Sequence, residues 1–314
     1  MAPQLVFGTG VVGMGDTEFP DSESVTQLLH TLKQLGINRL DTAARYPPFD
    51  PGKSEQLIGA SGVLSDSFIV DTKVYTEVGD GSGDLAQEAM QKSVNGSLER
   101  LHRPQGVNIL FAHRPDPATP LEEQVQGFQN QIAQGHAREW GLANHPPETL
   151  QRIIDLCEEK GWVKPKWYQG TYNMLTRGME TRLLPILRAH GILFLASHAL
   201  ASGFLTGKHI DAEGRPTGRF AKNNSYTAPE LSAAMKEFVS GCKAHALPPF
   251  EVASRWIAHH SALGDDDGIV IGASKVAQVS ATVTNIRKGP LPAPVVVLTE
   301  DLWNSVKPIR GSTI

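Results

Sequence analysis

Asn38-Arg39-Leu40-Asp41-Thr42-Ala43-Ala44-Arg45-Tyr46 reads as a short buried strand that runs into a polar turn. Asp41 stands where the strand stops, and Tyr46 follows in the loop. Two later segments end the same way. Phe68-Ile-Val-Asp-Thr-Lys73 closes on a lysine, and Val107-Asn-Ile-Leu-Phe-Ala-His113 closes on a histidine. Three apolar strands, each delivering one ionisable side chain at its C-terminal end, predict a single site at the mouth of a parallel barrel.

Outward from this stretch, strands and helices alternate. Strands are predicted at 5–8, 39–41, 68–73, 107–112, 139–143, 166–169, 192–196 and 268–272. Helices are predicted at 22–34, 54–58, 85–101, 121–134, 147–160, 181–189 and 275–286, with 230–244 and 249–259 inserted before the last strand. In 22–34 the apolar residues Val25, Leu28, Leu29 and Leu32 fall at helical spacing, and Gly36 supplies a stop. Ile192-Leu-Phe-Leu-Ala196 is almost wholly apolar, as a strand covered on both faces should be. The fold class that follows is α/β, a (β/α)8 TIM barrel forming one domain over 1–314. Pro290 to Pro294 opens a C-terminal tail.

Gly8-Thr-Gly10-Val-Val-Gly13 matches the dinucleotide pattern G-x-G-x-x-G. That pattern requires a helix to begin within the glycines, so that its N-terminus meets a pyrophosphate. Here the glycines lead into Met14-Gly-Asp-Thr-Glu-Phe-Pro20, a loop. A glycine-rich first loop that lets a ligand approach the backbone is the better reading.

Composition narrows the function classes. Of 314 residues, 40% are hydrophobic and 20% charged, and the net charge is −4, so no basic field favours nucleic acid or an anionic membrane. No run of about 18 apolar residues exists to span a bilayer. The N-terminus shows no basic n-region or long apolar run. Cys157 and Cys242 lack metal-ligand spacing; no metal site is expected, and two reduced thiols fit a cytoplasmic compartment.

Asp41, Tyr46, Lys73 and His113 acquire meaning together. A free tyrosine titrates at about 10, too high for an efficient acid at neutral pH. A nearby ammonium stabilises the phenolate, and a carboxylate beside the lysine keeps it charged and oriented. A histidine next to the tyrosine could hydrogen-bond a carbonyl oxygen. Singly, each has a bland reading: a strand-end turn residue, a solvated rim lysine, a packed imidazole. Jointly they describe a proton donor for a carbonyl undergoing reduction. Lys73 also permits a Schiff-base aldolase, which the other three residues do not require.

At these positions the sequence resembles the aldo-keto reductase superfamily. The resemblance covers nearly the whole chain. It rests on Leu40-Asp-Thr-Ala-Ala-Arg-Tyr46, Lys73, His113, Gly141-Leu-Ala-Asn144, Tyr168-Gln-Gly-Thr-Tyr-Asn173 and Leu205-Thr-Gly-Lys208. The segment from Tyr168 through Thr176-Arg-Gly-Met-Glu180 looks most like the aflatoxin-aldehyde reductase branch and its fungal relatives. The resemblance implies a barrel that binds NADPH (NADP+) without a Rossmann domain and reduces small-molecule aldehydes or ketones, as monomer or homodimer. It assigns Tyr46 as general acid, Lys73 and Asp41 as its tuning pair, and His113 as the residue orienting the carbonyl. Asn144 and Gln169 match the amides that hold the nicotinamide carboxamide. Leu200, Ser202, Gly203 and Lys208 lie in the pyrophosphate segment, with Arg219 as a second basic contact. Gly272, Ser274 and Gln278, in and after Gly272-Ala-Ser-Lys275, match the segment meeting the adenosine 2′-phosphate.

Departures are also visible. Ser197 stands where an aromatic residue normally stacks on nicotinamide, with His198 beside it. Ala143 replaces a frequent serine, and Thr282 stands where an asparagine usually meets adenine, with Asn285 close by. Cofactor binding weaker than the family norm is the expectation, and a regulatory or sensor subunit with little turnover is the alternative function. Val74, Tyr75, Arg114, Tyr172 and Arg310 are candidate substrate contacts. Trp140, Trp162, Trp167, Trp256 and Trp303 are expected in packing roles.

Overall fold

The computed structural model describes residues 3–62, 67–77, 83–208, 210–213, 215, 217 and 226–313. Eight parallel strands close into a barrel in sequence order: β1 (Gln4–Gly8), β2 (Arg39–Asp41), β3 (Ile69–Lys73), β4 (Val107–Ala112), β5 (Ala137–Ala143), β6 (Trp167–Thr171), β7 (Leu193–Ser197) and β8 (Gly268–Gly272). β8 returns to pair with β1, with Gly8 opposite Gly272.

Helices α1 (Ser22–Gln34), α2 (Lys53–Ala60), α3 (Gln87–Arg100), α4 (Leu121–Ala133) and α5 (Pro147–Lys160) follow the first five strands. After β6 the predicted single helix is two short ones, α6 (Met179–Arg182) and α7 (Leu184–Ala189). Pro185 lacks the N–H that would continue the first turn into the second, so it sits at the start of α7. α8 (Pro229–Ala244) and α9 (Pro249–His259) precede β8, and α10 (Val276–Arg287) follows it.

The C-terminal tail is a correction. Residues Ala293–Arg310 form an eighteen-residue helix, α11. Its prolines at 290, 292 and 294 look like a linker in sequence, but Pro294 lies in the first turn, where its missing N–H costs nothing. Val295, Thr299, Leu302, Trp303 and Val306 form its buried face, which packs on α8 and α9.

No helix begins among the glycines of 8–13. α1 starts at Ser22, where the Asp21 carboxylate accepts from the Ser24 N–H and Ser24 reciprocates to the Asp21 N–H. The loop before it carries Gly10 against the ring of Tyr46; a Cβ at Gly10 would lie 3.7 Å from that ring.

Strand alternation divides the core. A large apolar cluster lies between barrel and helices, and a small one fills the barrel interior from Val6, Ile109, Phe111, Trp167, Leu195 and Val270. The rest of the interior is polar. Arg39 and Asp41 are two apart on β2, as are Asp71 and Lys73 on β3, and Asp41 pairs in register with Asp71. All four therefore face inward and form two stacked ion pairs: Arg39 Nε to Asp71 Oδ2 at 2.7 Å below, and Lys73 Nζ to Asp41 Oδ1 at 2.6 Å above. The lower pair is closed off by Asn108, whose Nδ2 donates to Asp71 at 2.8 Å, and by Trp167, on which Arg39 stacks at 4.3 Å. Burial nonetheless pushes the Asp71 carboxyl above its ordinary value, against the pull of Arg39. This polar floor holds the upper pair at the barrel mouth.

Candidate active site

Lys73 is fully buried at the end of β3. Its ammonium donates to Asp41 and, at 2.8 Å, to the Thr42 carbonyl. Burial is the largest influence on Lys73 and acts to lower its pKa, but the surrounding anionic groups, Asp41 first, outweigh it and leave the value raised. Lys73 is thus held as an ammonium. Asp41 also accepts from the Gln169 amide Nε2 at 2.8 Å, which ties β6 into the same cluster.

Tyr46 hangs over this pair. Its N–H donates to the Ala43 carbonyl at 2.9 Å, and its own carbonyl accepts from the Ser54 N–H at 3.1 Å at the start of α2. Lys73 Nζ lies 5.1 Å from the Tyr46 ring centroid. The His113 ring meets Tyr46 edge to face, with centroids 5.5 Å apart and an interplanar angle of 87°. The four residues read from sequence as one site are therefore together at the C-terminal end of β2, β3 and β4.

The electrostatics differ from the sequence expectation in one respect. Desolvation dominates at Tyr46 and raises its pKa above the ordinary value; Lys73 opposes that rise and does not overcome it. Tyr46 is a protonated phenol throughout the physiological range. His113 moves the other way. Burial, then the positive charges of Lys73, Arg114 and Arg45, hold it well below its usual value, so it is neutral at pH 7. Its buried Nδ1 has no hydrogen-bond partner. An orphaned nitrogen on a 94%-buried imidazole, next to a phenol, marks a place for an incoming polar atom.

Asn144 follows β5 in the left-handed region, φ 61°, which asparagine tolerates better than most residues. Its Nδ2 donates to the His113 carbonyl at 3.0 Å, and its N–H donates to the Gln169 carbonyl at 3.2 Å. Asn144 and Gln169 thus stand side by side, each with its amide NH2 engaged and its amide oxygen without a protein partner among the described residues.

After β7 the chain passes through His198, Ala201, Ser202 and Gly203, all at positive φ between 50° and 102°. This wound segment, a 3-10 turn over Ala201–Thr206, carries Leu200, Ser202 and Gly203, with Lys208 exposed at its end. Arg219 lies outside the described residues. Ser197 Oγ lies 3.3 Å from His198 Nδ1, so these two side chains engage each other.

Gly272 ends β8 with open space where a Cβ would point. Ser274 and Gln278 come together, but with each other: Gln278 Oε1 accepts from the Ser274 N–H at 2.9 Å and the Lys275 N–H at 3.2 Å. The next N–H, of Val276 at the head of α10, donates to the Glu18 carboxylate at 2.9 Å. Glu18 was not singled out from sequence; it comes from the first loop, 258 residues away along the chain. Thr282 and Asn285 are both buried, and Thr282 Oγ1 donates back to the Gln278 carbonyl at 2.9 Å.

Among the substrate candidates, Tyr172 is a correction. It is fully buried between Phe194 and Trp256, and its hydroxyl donates to Glu180 at 2.7 Å and accepts from the Ala262 N–H at 2.8 Å, so it packs and does not line a pocket. Arg310 donates to the Leu175 carbonyl and to Thr176 Oγ1 at 2.6 Å and packs over Tyr226, which ties α11 to the loop after β6. Val74 is buried beneath the rim. Tyr75 donates to Glu77 at 2.6 Å, and Arg45 reaches the same carboxylate at 3.1 Å. Trp140, Trp167, Trp256 and Trp303 are all buried.

Beside the site, His145 is buried and neutral, its pKa pushed down to about 4 by desolvation. Its folded value lies below its unfolded value, so the unfolded chain binds the extra proton between the two. Stability from this residue is complete above about pH 6.5 and is lost as pH falls toward 4, on the order of 3 kcal/mol in total. In urea titrations across that window, His145→Gln should lose less stability than the parent on acidification; parallel losses would refute the assignment.

The model of the Aldo/keto reductase family matches residues 4–303. Aflatoxin B1 aldehyde reductase member 2 of Rattus norvegicus is 31% identical over 325 residues, covering 98% of this chain and 86% of the relative. Oxidoreductase sirO of Leptosphaeria maculans is 33% identical over 98% of this chain and 95% of its own length. Among solved structures, a glycerol dehydrogenase of Gluconobacter oxydans superposes with a TM-score of 0.76 at 24% identity, covering 99% of this chain and 93% of that one, a likeness of fold. The chain belongs to the aldo/keto reductase family. Membership places it among oxidoreductases that act on carbonyls and generally use nicotinamide cofactors. Among the described residues no helix is long and apolar enough to cross a membrane.

Proposed function

We propose that this protein reduces aldehydes or ketones to alcohols with NADPH, Tyr46 giving the proton. The observation that carries the reading is the orphaned, neutral His113 set edge to face with a protonated Tyr46 above the Lys73–Asp41 pair. A carbonyl oxygen placed between the two rings can accept from the Tyr46 hydroxyl and from the single N–H of a neutral imidazole. As that oxygen gains charge, it takes the phenolic proton. The Lys73 ammonium then stabilises the phenolate left behind, and Asp41 holds the ammonium in place. The aldolase reading fares worse. A Schiff-base lysine must be a free amine, and Lys73 is a doubly hydrogen-bonded ammonium with a raised pKa.

The residues around the tetrad fit a nicotinamide dinucleotide at one end. The amide oxygens of Asn144 and Gln169 suit a carboxamide NH2, the wound segment holding Leu200, Ser202 and Gly203 suits a pyrophosphate, and Lys208 adds positive charge. When bound, the dinucleotide serves as hydride donor. At the other end, Gly272, Ser274 and Gln278 form the expected segment, but its N–H groups are already taken by Gln278 and Glu18. A 2′-phosphate must displace Glu18, an exposed side chain with Lys275 as the nearby cation. Glu18→Gln removes one negative charge and keeps an acceptor for Val276. It should tighten NADPH by roughly fivefold and leave NADH unchanged. Fluorescence titration with both dinucleotides measures this, and equal changes for the two would reject it. The function itself is tested by loss of dihydronicotinamide absorbance with a panel of aromatic and dicarbonyl aldehydes. NADPH binding without turnover of any of them would turn the reading toward a sensor. We further place the protein in the cytoplasm, with its buried, unpaired Cys157 and Cys242 in keeping with a reducing compartment.

A further inference from the structure

Below the mouth, the barrel interior holds two carboxylates side by side. Asp41 on β2 and Asp71 on β3 are register partners, and neighbouring strands lie roughly 4.8 Å apart. Both are buried. Like charges opposite each other on a sheet repel, and a low-dielectric interior strengthens the repulsion. One cation stands at each end of the row. Lys73 lies above, 2.6 Å from Asp41, and Arg39 lies below, 2.7 Å from Asp71.

Asp71 also sits two residues before Lys73 on the same inward face of β3, roughly 7 Å away along the strand. The flexible four-carbon stem of a lysine can fold across that distance. Asp71 is therefore a second acceptor within reach of the ammonium that serves Asp41 and lies 5.1 Å from the Tyr46 ring centroid. It already counts among the anions that act on Lys73. What leaves Lys73 to the site is the saturation of Asp71. Arg39 Nε donates to one carboxylate oxygen, and Asn108 Nδ2 donates to the other at 2.8 Å. Arg39 is itself fixed by Gln4 Oε1, which accepts from Nη1 at 3.0 Å, and by the Trp167 ring. Stability does not account for this arrangement. A buried ion pair often does no better than well-packed apolar side chains, and Arg39 keeps a buried donor, Nη2, without a partner among the described residues.

We propose that Arg39 is a positioning residue for the reaction: by neutralising Asp71 it reserves the Lys73 ammonium for Asp41 and for the Tyr46 phenol above. The effect on rate rests on the carbonyl-reductase reading; the effect on where Lys73 sits does not.

Arg39→Met strips Asp71 of its cation. In a crystal structure of that variant, Lys73 Nζ should come within hydrogen-bond distance of Asp71. Its kcat with aromatic aldehydes should fall by about tenfold or more, and its dinucleotide affinity should stay within about twofold, because the phenolate loses its ammonium while the cofactor contacts remain. Adding Asp71→Asn removes the competing charge and keeps an acceptor for Asn108. The double variant should return Lys73 to Asp41 and bring kcat back to within about threefold of the parent. Arg39→Gln, which keeps a donor but no charge, gives the same comparison with a smaller loss of packing, so that a poorly folding Arg39→Met does not close the test. A floor pair that serves only as structure predicts the reverse order, since the double variant removes more of it than the single one does. A double variant no more active than its single parent variant therefore overturns the proposal. So does a variant crystal structure in which Lys73 remains on Asp41 and away from Asp71. That structural readout stands whether or not any aldehyde is turned over, and a parent protein without turnover would fail the reductase reading alone.

Discussion

Tyr46→Phe is expected to abolish most carbonyl reduction, by a factor on the order of a thousand, while dinucleotide affinity stays within about twofold. The substitution removes one oxygen from a ring whose position is fixed by backbone bonds at Ala43 and Ser54 and by edge contact with His113. The other bonds of the site keep their partners: Lys73 keeps Asp41 and the Thr42 carbonyl, and Gln169 keeps Asp41. The loss should therefore fall on kcat, with the folded state intact. The raised pKa of Tyr46 sets the companion pH profile. The acid form is the working form, so reduction should persist through neutral and mildly alkaline pH and decline only as the phenol ionises, above its ordinary value of about 10. Steady-state rates against pH measure both statements. A Tyr46→Phe enzyme with more than about a tenth of parental kcat would show that the proton comes from elsewhere.

How much of this was legible before the structure follows from where each interaction lies along the chain. The tetrad was legible because Asp41, Lys73 and His113 end a strand or follow one directly, Tyr46 lies in the loop after β2, and strand ends share one face of a parallel barrel. The amides Asn144 and Gln169, at β5 and β6, were legible through the family resemblance and not from spacing. Their bond to the tetrad was not: Gln169 reaches Asp41 across 128 residues, and only barrel closure brings them together. Glu18 at the head of α10 is the extreme case, since a glutamate in a polar loop carries no sign of its target. Tyr172 misled for the opposite reason. It falls beside a motif, but strand alternation turns it outward under the helices, where Glu180 and Ala262 occupy its hydroxyl. The tail misled because proline is read first as a breaker, and only its position within the first turn shows that it starts α11. The direction of the Tyr46 shift depended on burial, a quantity that sequence spacing does not contain.

Lys73→Met should cost both stability and turnover, and the two losses can be separated. The substitution leaves the buried Asp41 carboxylate with Gln169 as its only side-chain donor among the described residues. Breaking one side of a buried pair costs about 3–5 kcal/mol, because the remaining charge is uncompensated. The double variant Asp41→Asn, Lys73→Met removes the orphaned charge while an amide oxygen still accepts from Gln169, and it should regain a large part of the stability. Turnover should not return, because no ammonium remains to stabilise the Tyr46 phenolate in a site where desolvation already disfavours it. A double variant that recovers folding and stays inactive assigns Lys73 a chemical role beyond holding Asp41. One that recovers both would reduce the pair to scaffolding, and Tyr46 would then act without electrostatic help from beneath.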